Sequence, residues 1–452
     1  MKLKQVLATT AAAAIFSVGC AVSAWAFPSV FPTGTTIYNP SKAYNSYVLV
    51  PQDDKLYNSR DAKHRDMRAK KGTKSIKSSG TASGSVSNMA TSVKLIDMNG
   101  NVMHTWSVKP TPNRRDVLLK NGHLLSINSK SSTVEERDWD SNLVWEYKCE
   151  YKPHHYVTRL DNGNTLILCE GPVPAHRLKE VKNVTVPWWG TIRRKGVKLV
   201  GDSIIEVTPD KKIVWRWNAG DDPDMDVNTF SPENVIPDWT HGNTASVIPP
   251  NHWYDEGDKR FKPGNIIYNP RNHDKFVIID KDTKRIVYTY THNYKGGMSH
   301  VHEVEMIPKN CPGAGNILFF DNGLFPRNRD RVGQSLEIEI NPVTKNFVWK
   351  YESCGYSNMR FFSKTKSSQT KLPNGNVLVS SDNTGRIFQV VPDMNHPEGG
   401  EIVWEYVNVS DVSRARPIPY DYCEQFKNFP KPQELPVIPP DNPDFHVTPT
   451  AI

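Results

Sequence analysis

One short closing strand recurs along this chain. It reads VWEY at 144–147, VWRW at 214–217, VYTY at 287–290, VWKY at 348–351 and VWEY at 403–406, and MHTW at 103–106 has a similar form. Apolar strands joined by a tight turn precede it, as at Leu160-Asp161-Asn162-Gly163-Asn164 and Leu372-Pro373-Asn374-Gly375-Asn376. Self-similarity of this kind marks a repeat architecture, in which each unit buries its apolar face against its neighbours. In one unit HHYVTRL, NTLILCE, DSIIEVTP and KIVWRWN read as four strands, with Thr208-Pro209-Asp210 turning the last hairpin. Four antiparallel strands per unit make one propeller blade. Closing aromatics at Trp106, Trp145, Trp215, Tyr288, Trp349 and Trp404 then count six blades. The expectation is an all-β, six-bladed β-propeller over residues 27–410. A β-sandwich would also supply alternating strands, but it gives no reason for one unit to recur. Blade 1 is expected from 45–51 and 92–106, with the ring closing against the last blade near 367–408.

The remaining segments read differently. Lys2 and Lys4 followed by an apolar run to Ala24-Trp25-Ala26 read as a signal peptide over 1–26, which implies a periplasmic or secreted protein. Acylation of Cys20 is the competing reading, and Ser17 makes a poor lipobox. No later run of 18 apolar residues suggests a membrane span. Residues 55–77 carry nine Lys or Arg and lead into a Ser/Gly-rich stretch. The 52–91 segment therefore reads as a flexible basic insertion, and no nucleic-acid module accompanies it. The Pro-rich 411–452 segment is expected to run over the surface, because proline cannot continue a sheet interior. Cys149, Cys169, Cys311, Cys354 and Cys423 follow the signal; their odd number and spacing suggest neither a metal knuckle nor a dense disulfide framework.

A propeller brings equivalent positions of its inner strands into one ring, however distant they are in sequence. Five residues before each turn Leu or its equivalent stand Arg114, His155, Asn243, His302 and Ser367, with His241 and His300 beside them. Arg271 and Arg327 follow the second strands of two of these blades. Polar groups in such a channel need partners that apolar filling would not, so several imidazoles at one depth argue for chemistry. Imidazole and guanidinium without an accompanying carboxylate cluster suit an oxyanion, which Arg matches with a planar fork of donors. His can also attack a sulfuryl or phosphoryl centre and pass the group on. No HExxH-type spacing is present, and neither a metal nor a cofactor is expected.

The opening Thr35-Thr36-Ile37-Tyr38-Asn39-Pro40, LIDMNGNVMHTW, DWTHGNTASVIPP, FFDNG and the late LPNGN…GRIFQVVPD…EIVWEY together resemble the bacterial arylsulfotransferase family over roughly 35–410. That resemblance implies a six-bladed propeller moving a sulfuryl group from a phenolic sulfate ester to another phenol through a sulfated His, with no nucleotide donor. It matches His241 and His302 to channel histidines and Arg327 to a channel arginine. On this reading His302 is the expected nucleophile or acid/base and His241 the stabiliser, with His155, Arg327 and Arg271 in support. Asn243, His300, Arg114 and Ser367 are the expected substrate contacts. The partners would be a small phenolic donor and acceptor, with homo-oligomerisation open. One departure is plain: the family's late channel His is replaced by Lys364-Thr365-Lys366-Ser367-Ser368-Gln369. Its loss leaves a non-catalytic ligand- or protein-binding propeller as the alternative. An eight-bladed quinone-cofactor dehydrogenase is disfavoured by the count of six. Trp188 and Trp189 are candidates for stacking on a phenol or for capping the propeller face.

Overall fold

The computed structural model describes residues 33–52, 91–109, 111, 114–186, 190–229, 237–324, 333–353 and 361–438. The signal-peptide segment, nearly all of the basic insertion, Trp188, Trp189, Arg327 and Cys354 lie outside them. Among the described residues six antiparallel sheets of four or five strands form the blades of a β-propeller, and an extra two-stranded hairpin projects from blade 3.

From the axis outward, blade 1 is Arg416–Ile418, Tyr47–Pro51, Thr91–Ile96 and Val102–Val108. Blade 2 is Asp116–Leu118, Leu124–Asn128, Thr133–Arg137 and Leu143–Lys148. Blade 3 is Pro153–Arg159, Thr165–Pro172, Val200–Val207 and Ile213–Asn218. Blade 4 is Gly242–Val247, Ile266–Pro270, Phe276–Ile279 and Ile286–Tyr290. Blade 5 is His302–Met306, Ile317–Asp321, Leu336–Ile340 and Phe347–Tyr351. Blade 6 is Ser368–Lys371, Val377–Ser381, Arg386–Pro392 and Gly400–Val407, with Gly34–Tyr38 as a fifth, outermost strand.

The recurring turn has one geometry. Leu160 N–H donates to Asn164 O (2.8 Å) and Gly163 N–H to Leu160 O (2.9 Å); Leu372, Asn376 and Gly375 repeat both bonds at the same lengths. Gly163 and Gly375 take φ of +85° and +93°, a region where a Cβ would clash with backbone.

The recurring aromatic has one task. Each closing ring reaches the strand 3–4 turn of the next blade and donates to a carbonyl there. Trp145 Nε1 donates to Pro209 O (2.9 Å), Trp215 Nε1 to Lys281 O (2.7 Å) and Tyr288 Oη to Pro342 O (2.9 Å). Trp349 Nε1 donates to Gly399 O (2.6 Å), and Trp404 Nε1 closes the ring onto Met98 O of blade 1 (2.7 Å). Blade 1 uses His104 instead, whose Nε2–H donates to Trp139 O (2.9 Å). The motif thus staples neighbours while its body fills the apolar layers between blades.

Closure adds an outer strand to blade 6 and corrects one expectation. Gly34–Tyr38 pairs with the outer strand of blade 6, and Arg416–Ile418 pairs with Tyr47–Pro51 as the inner strand of blade 1. Pro417 fits there because the innermost strand has a free edge, where a missing N–H costs no ladder bond. The start of the segment expected to cover the surface therefore enters the axis. Ending the chain after Ser410 is expected to leave blade 1 with three strands and an open edge. The measurable outcome is loss of soluble, cooperatively melting protein; a truncated chain with an unchanged thermal midpoint would contradict this closure.

Candidate active site

Every inner strand starts at the same mouth of the channel, and the residues at these starts are polar. His154 and His155 lie in the inner strand of blade 3, His241 just precedes that of blade 4, and His302 opens that of blade 5. Lys366 and Ser367 precede that of blade 6, and Arg414 precedes that of blade 1. His155, His241, His300, Glu303, Lys366, Ser367 and Arg414 have φ between +44° and +83°. Left-handed backbone at non-glycine residues costs about 1 kcal/mol or more each, and its gathering at one place marks a site held by its surroundings. Irregular register next to His155, Asn243 and Glu303 re-aims these side chains.

The imidazoles converge. The ring centroids of His155 and His241 are 4.8 Å apart, and His302 lies 6.3 Å from His155. Two carboxylates, not expected from the sequence, back these rings. His241 Nδ1–H donates to Asp238. His154 Nε2 lies 3.1 Å from Asp202 Oδ1, and its Nδ1 lies 2.9 Å from His155 Nδ1. A carboxylate only accepts, so His154 carries its proton on Nε2 and accepts at Nδ1 from His155. In both His155 and His241 the Nδ1 proton is tied down and Nε2 keeps its lone pair. Among the described residues no hydrogen bond reaches Nε2 of either ring.

His302, the expected nucleophile, is held differently. Its Nδ1–H is shared between His300 O (2.9 Å) and Asn322 Oδ1 (2.7 Å), and its Nε2 accepts the N–H of Lys366 (3.1 Å). Both ring nitrogens are occupied and the side chain is buried.

Burial sets the charge of the site. It lowers His155 and His302 well below 6.5, with neighbouring imidazoles and Arg414 adding to the effect at His155, and Arg414 and Arg271 at His302. Burial and the Arg271 charge lower His241 against the pull of Asp238, and hold His300 near about 3. These four rings are neutral at pH 7. Burial brings Arg271 and Arg414 down only to about 10, so both stay cationic. The site therefore pairs neutral imidazoles with fixed positive charge.

The other expected contacts divide. Arg271 stands close to His241, whose carbonyl accepts its N–H at 3.3 Å, and its Nε donates to Asn272 Oδ1. Asn243 donates to Val301 O (2.9 Å), while its buried Oδ1 has no hydrogen-bond partner among the described residues. Arg114 is not part of the group: its buried guanidinium is committed to Asp116 (2.6 Å) and the Gln52 carbonyl (3.3 Å). Ser367 is sealed against Ser363 Oγ (2.8 Å) and the Asp382 N–H. Arg327 lies outside the described residues.

Four contributors escaped the sequence reading. Asp238 stands three residues before His241 within DWTHGN, and His154 is adjacent to His155, so both could have been read as neighbours. Asp202, from the third strand of blade 3, and Arg414, from the carboxy-terminal segment, carry no local signal. Arg414 Nη2 donates to Asn243 O (3.0 Å), and its Nη1 to His155 O. Among the described residues no group of three or more His, Cys, Asp or Glu is placed to hold a metal ion. No helix there is long and apolar enough to cross a membrane, and Cys149, Cys169, Cys311 and Cys423 are buried free thiols.

No protein-family model matches the chain, and no curated protein matches it. Solved structures align with the chain only distantly. A protein of unknown function from Bacteroides caccae aligns at 11% identity and a TM-score of 0.46, covering 83% of this chain and 99% of its own. Apo AztD from Citrobacter koseri aligns at 10% and 0.36, covering 82% and 98%. Virginiamycin B lyase from Staphylococcus aureus aligns at 9% and 0.34, covering 70% and 78%. At this distance these likenesses say nothing about the chemistry; the chain is a six-bladed β-propeller on the evidence of its own sheets.

Proposed function

We propose that this protein transfers a sulfuryl group from a phenolic sulfate ester to an acceptor phenol through a histidine of the channel mouth. One observation carries the reading: two neutral imidazoles, His155 and His241, stand 4.8 Å apart, each with its Nδ1 proton held and its Nε2 lone pair unclaimed among the described residues. One such ring can take the group while the other removes the proton of the incoming phenol. Arg271 supplies the positive charge that a transferring oxyanion needs. This division replaces the role first expected of His302. A ring with both nitrogens engaged serves as framework, positioning Lys366 and the blade 6 entry.

The missing late histidine favours the alternative of a non-catalytic binding propeller, and a single assay separates the two. The protein is incubated with p-nitrophenyl sulfate and phenol while nitrophenol release is followed. Acceptor-dependent release is expected, falling about 10²- to 10⁴-fold in His241→Ala, the usual worth of a general base. Absence of release from the wild-type protein, or full release from the His155→Ala/His241→Ala double variant, would overturn the transfer reading.

A further inference from the structure

We propose that His154 and Asp202 form a proton sink that makes His155 the ring receiving the group, with His241 as base toward the acceptor. This rests on the transfer reading above. The geometry is a continuous line of donors: His155 Nδ1–H to His154 Nδ1 at 2.9 Å, then His154 Nε2–H to Asp202 Oδ1 at 3.1 Å.

Asp202 is built to stay ionised. It is fully buried, which alone would raise its pKa, yet hydrogen bonds from His154 and Tyr268 pull it below the usual carboxylate range. Its Oδ2 accepts the Gly242 N–H (2.6 Å) and the Tyr268 hydroxyl (2.5 Å). An anion fixed in this way stabilises an imidazolium at His154.

The step then balances. The His155 Nε2 lone pair attacks sulfur, the N–S bond forms, and the S–O ester bond breaks with its electron pair leaving on the phenolate. The ring would become cationic, so its Nδ1 proton passes to His154, whose new charge faces Asp202. In the return step the acceptor hydroxyl gives its proton to His241 Nε2 as its oxygen bonds sulfur. The N–S electron pair returns to His155, and His154 returns the proton to His155 Nδ1. His241 finally gives its proton to the departing phenolate or to water.

Burial decides which ring takes the group. An N-sulfo intermediate is lost if water reaches it, and a buried site protects it. The His155 residue is 5% exposed, whereas the His241 side chain is 19% exposed and its partner Asp238 41%. The more open ring is the one a second phenol can approach.

The test has two arms, both on the full chain. In the first, p-nitrophenyl sulfate is mixed with wild type, His154→Gln and His241→Gln, quenched, and the adduct mapped by peptide fragmentation. His241→Gln is expected to give a burst of about one nitrophenol per protein and then stall with the sulfuryl group on His155. His154→Gln is expected to lose about 10²-fold in kcat with KM little changed. An adduct on His241, or an unaltered kcat in His154→Gln, overturns the proposal.

The second arm needs no sulfate chemistry. Carbethoxylation of His155 by diethyl pyrocarbonate is expected to slow about tenfold in His154→Gln. Failure of the first arm with success of the second defeats the transfer reading and leaves the relay standing. Equal labelling of His155 in both proteins defeats the relay itself.

Discussion

Glu303→Gln is expected to destabilise the folded protein by about 3–5 kcal/mol, the cost of stripping a buried charge cluster of its counter-ion. The Glu303 carboxylate has no exposed area and is the meeting point of three guanidinium groups from across the axis. Arg115 Nη1 contacts both oxygens (2.5 and 2.7 Å), Arg414 Nη1 stands 3.0 Å away, and Arg416 Nη2 completes the set. Burial alone would raise its pKa; Arg115, Arg416 and Arg414 together hold it far below the usual carboxylate range.

The sign of the pH dependence follows. A carboxylate depressed in the folded state contributes stability that is present above its unfolded value of 4.5 and lost as pH falls toward the folded one. Glutamine removes that contribution, so the variant's stability should vary less with acid than the wild type's. Denaturant unfolding at pH 7 and pH 4 measures both. A loss below about 1 kcal/mol at pH 7 would place this cluster with surface ion pairs of little worth. Because Arg414 also bonds the carbonyls of His155 and Asn243, the proposed transfer activity should fall with stability.

Glu337→Gln is expected to do the opposite. Glu337 is fully buried in blade 5, and among the described residues neither carboxyl oxygen has a hydrogen-bond partner. Burial, with a smaller push from Asp321, raises its pKa well above 4.5. The folded protein therefore binds a proton that the unfolded chain releases. Such a group costs the fold about 1.4 kcal/mol for every pH unit above 4.5 at which it stays protonated. Glutamine has the same shape and no proton to hold. The variant should match the wild type near pH 4 and exceed it by a growing margin as pH rises above 4.5. Equal stability at both pH values, by denaturant titration, would mean that this carboxyl is solvated or paired.

The blades could be read from the chain because their signals are local. Val-Trp-x-Tyr and Asn-Gly recur since each blade must close its outer hairpin and staple itself to the next one, as Trp145, Trp215, Tyr288, Trp349 and Trp404 do. Equivalent positions in a ring are neighbours, so counting back from the turn leucines was enough to bring His155, Asn243 and His302 to one mouth. The same counting misjudged Arg114 and Ser367. It locates a backbone position but not the partner that claims the side chain, here Asp116 and Ser363.

Sequence periodicity alone thus determined the architecture and the depth at which the histidines lie, because repeats and alternation are properties of neighbouring residues. Tertiary structure decided which nitrogens remain available. Asp202 reaches His154 from another strand, Lys366 occupies His302 from another blade, and Arg414 arrives from the far end of the chain as the ring closes. Hydrogen bonds between segments distant in sequence leave no spacing to read, and irregular inner strands break the alternation that would have oriented the rings.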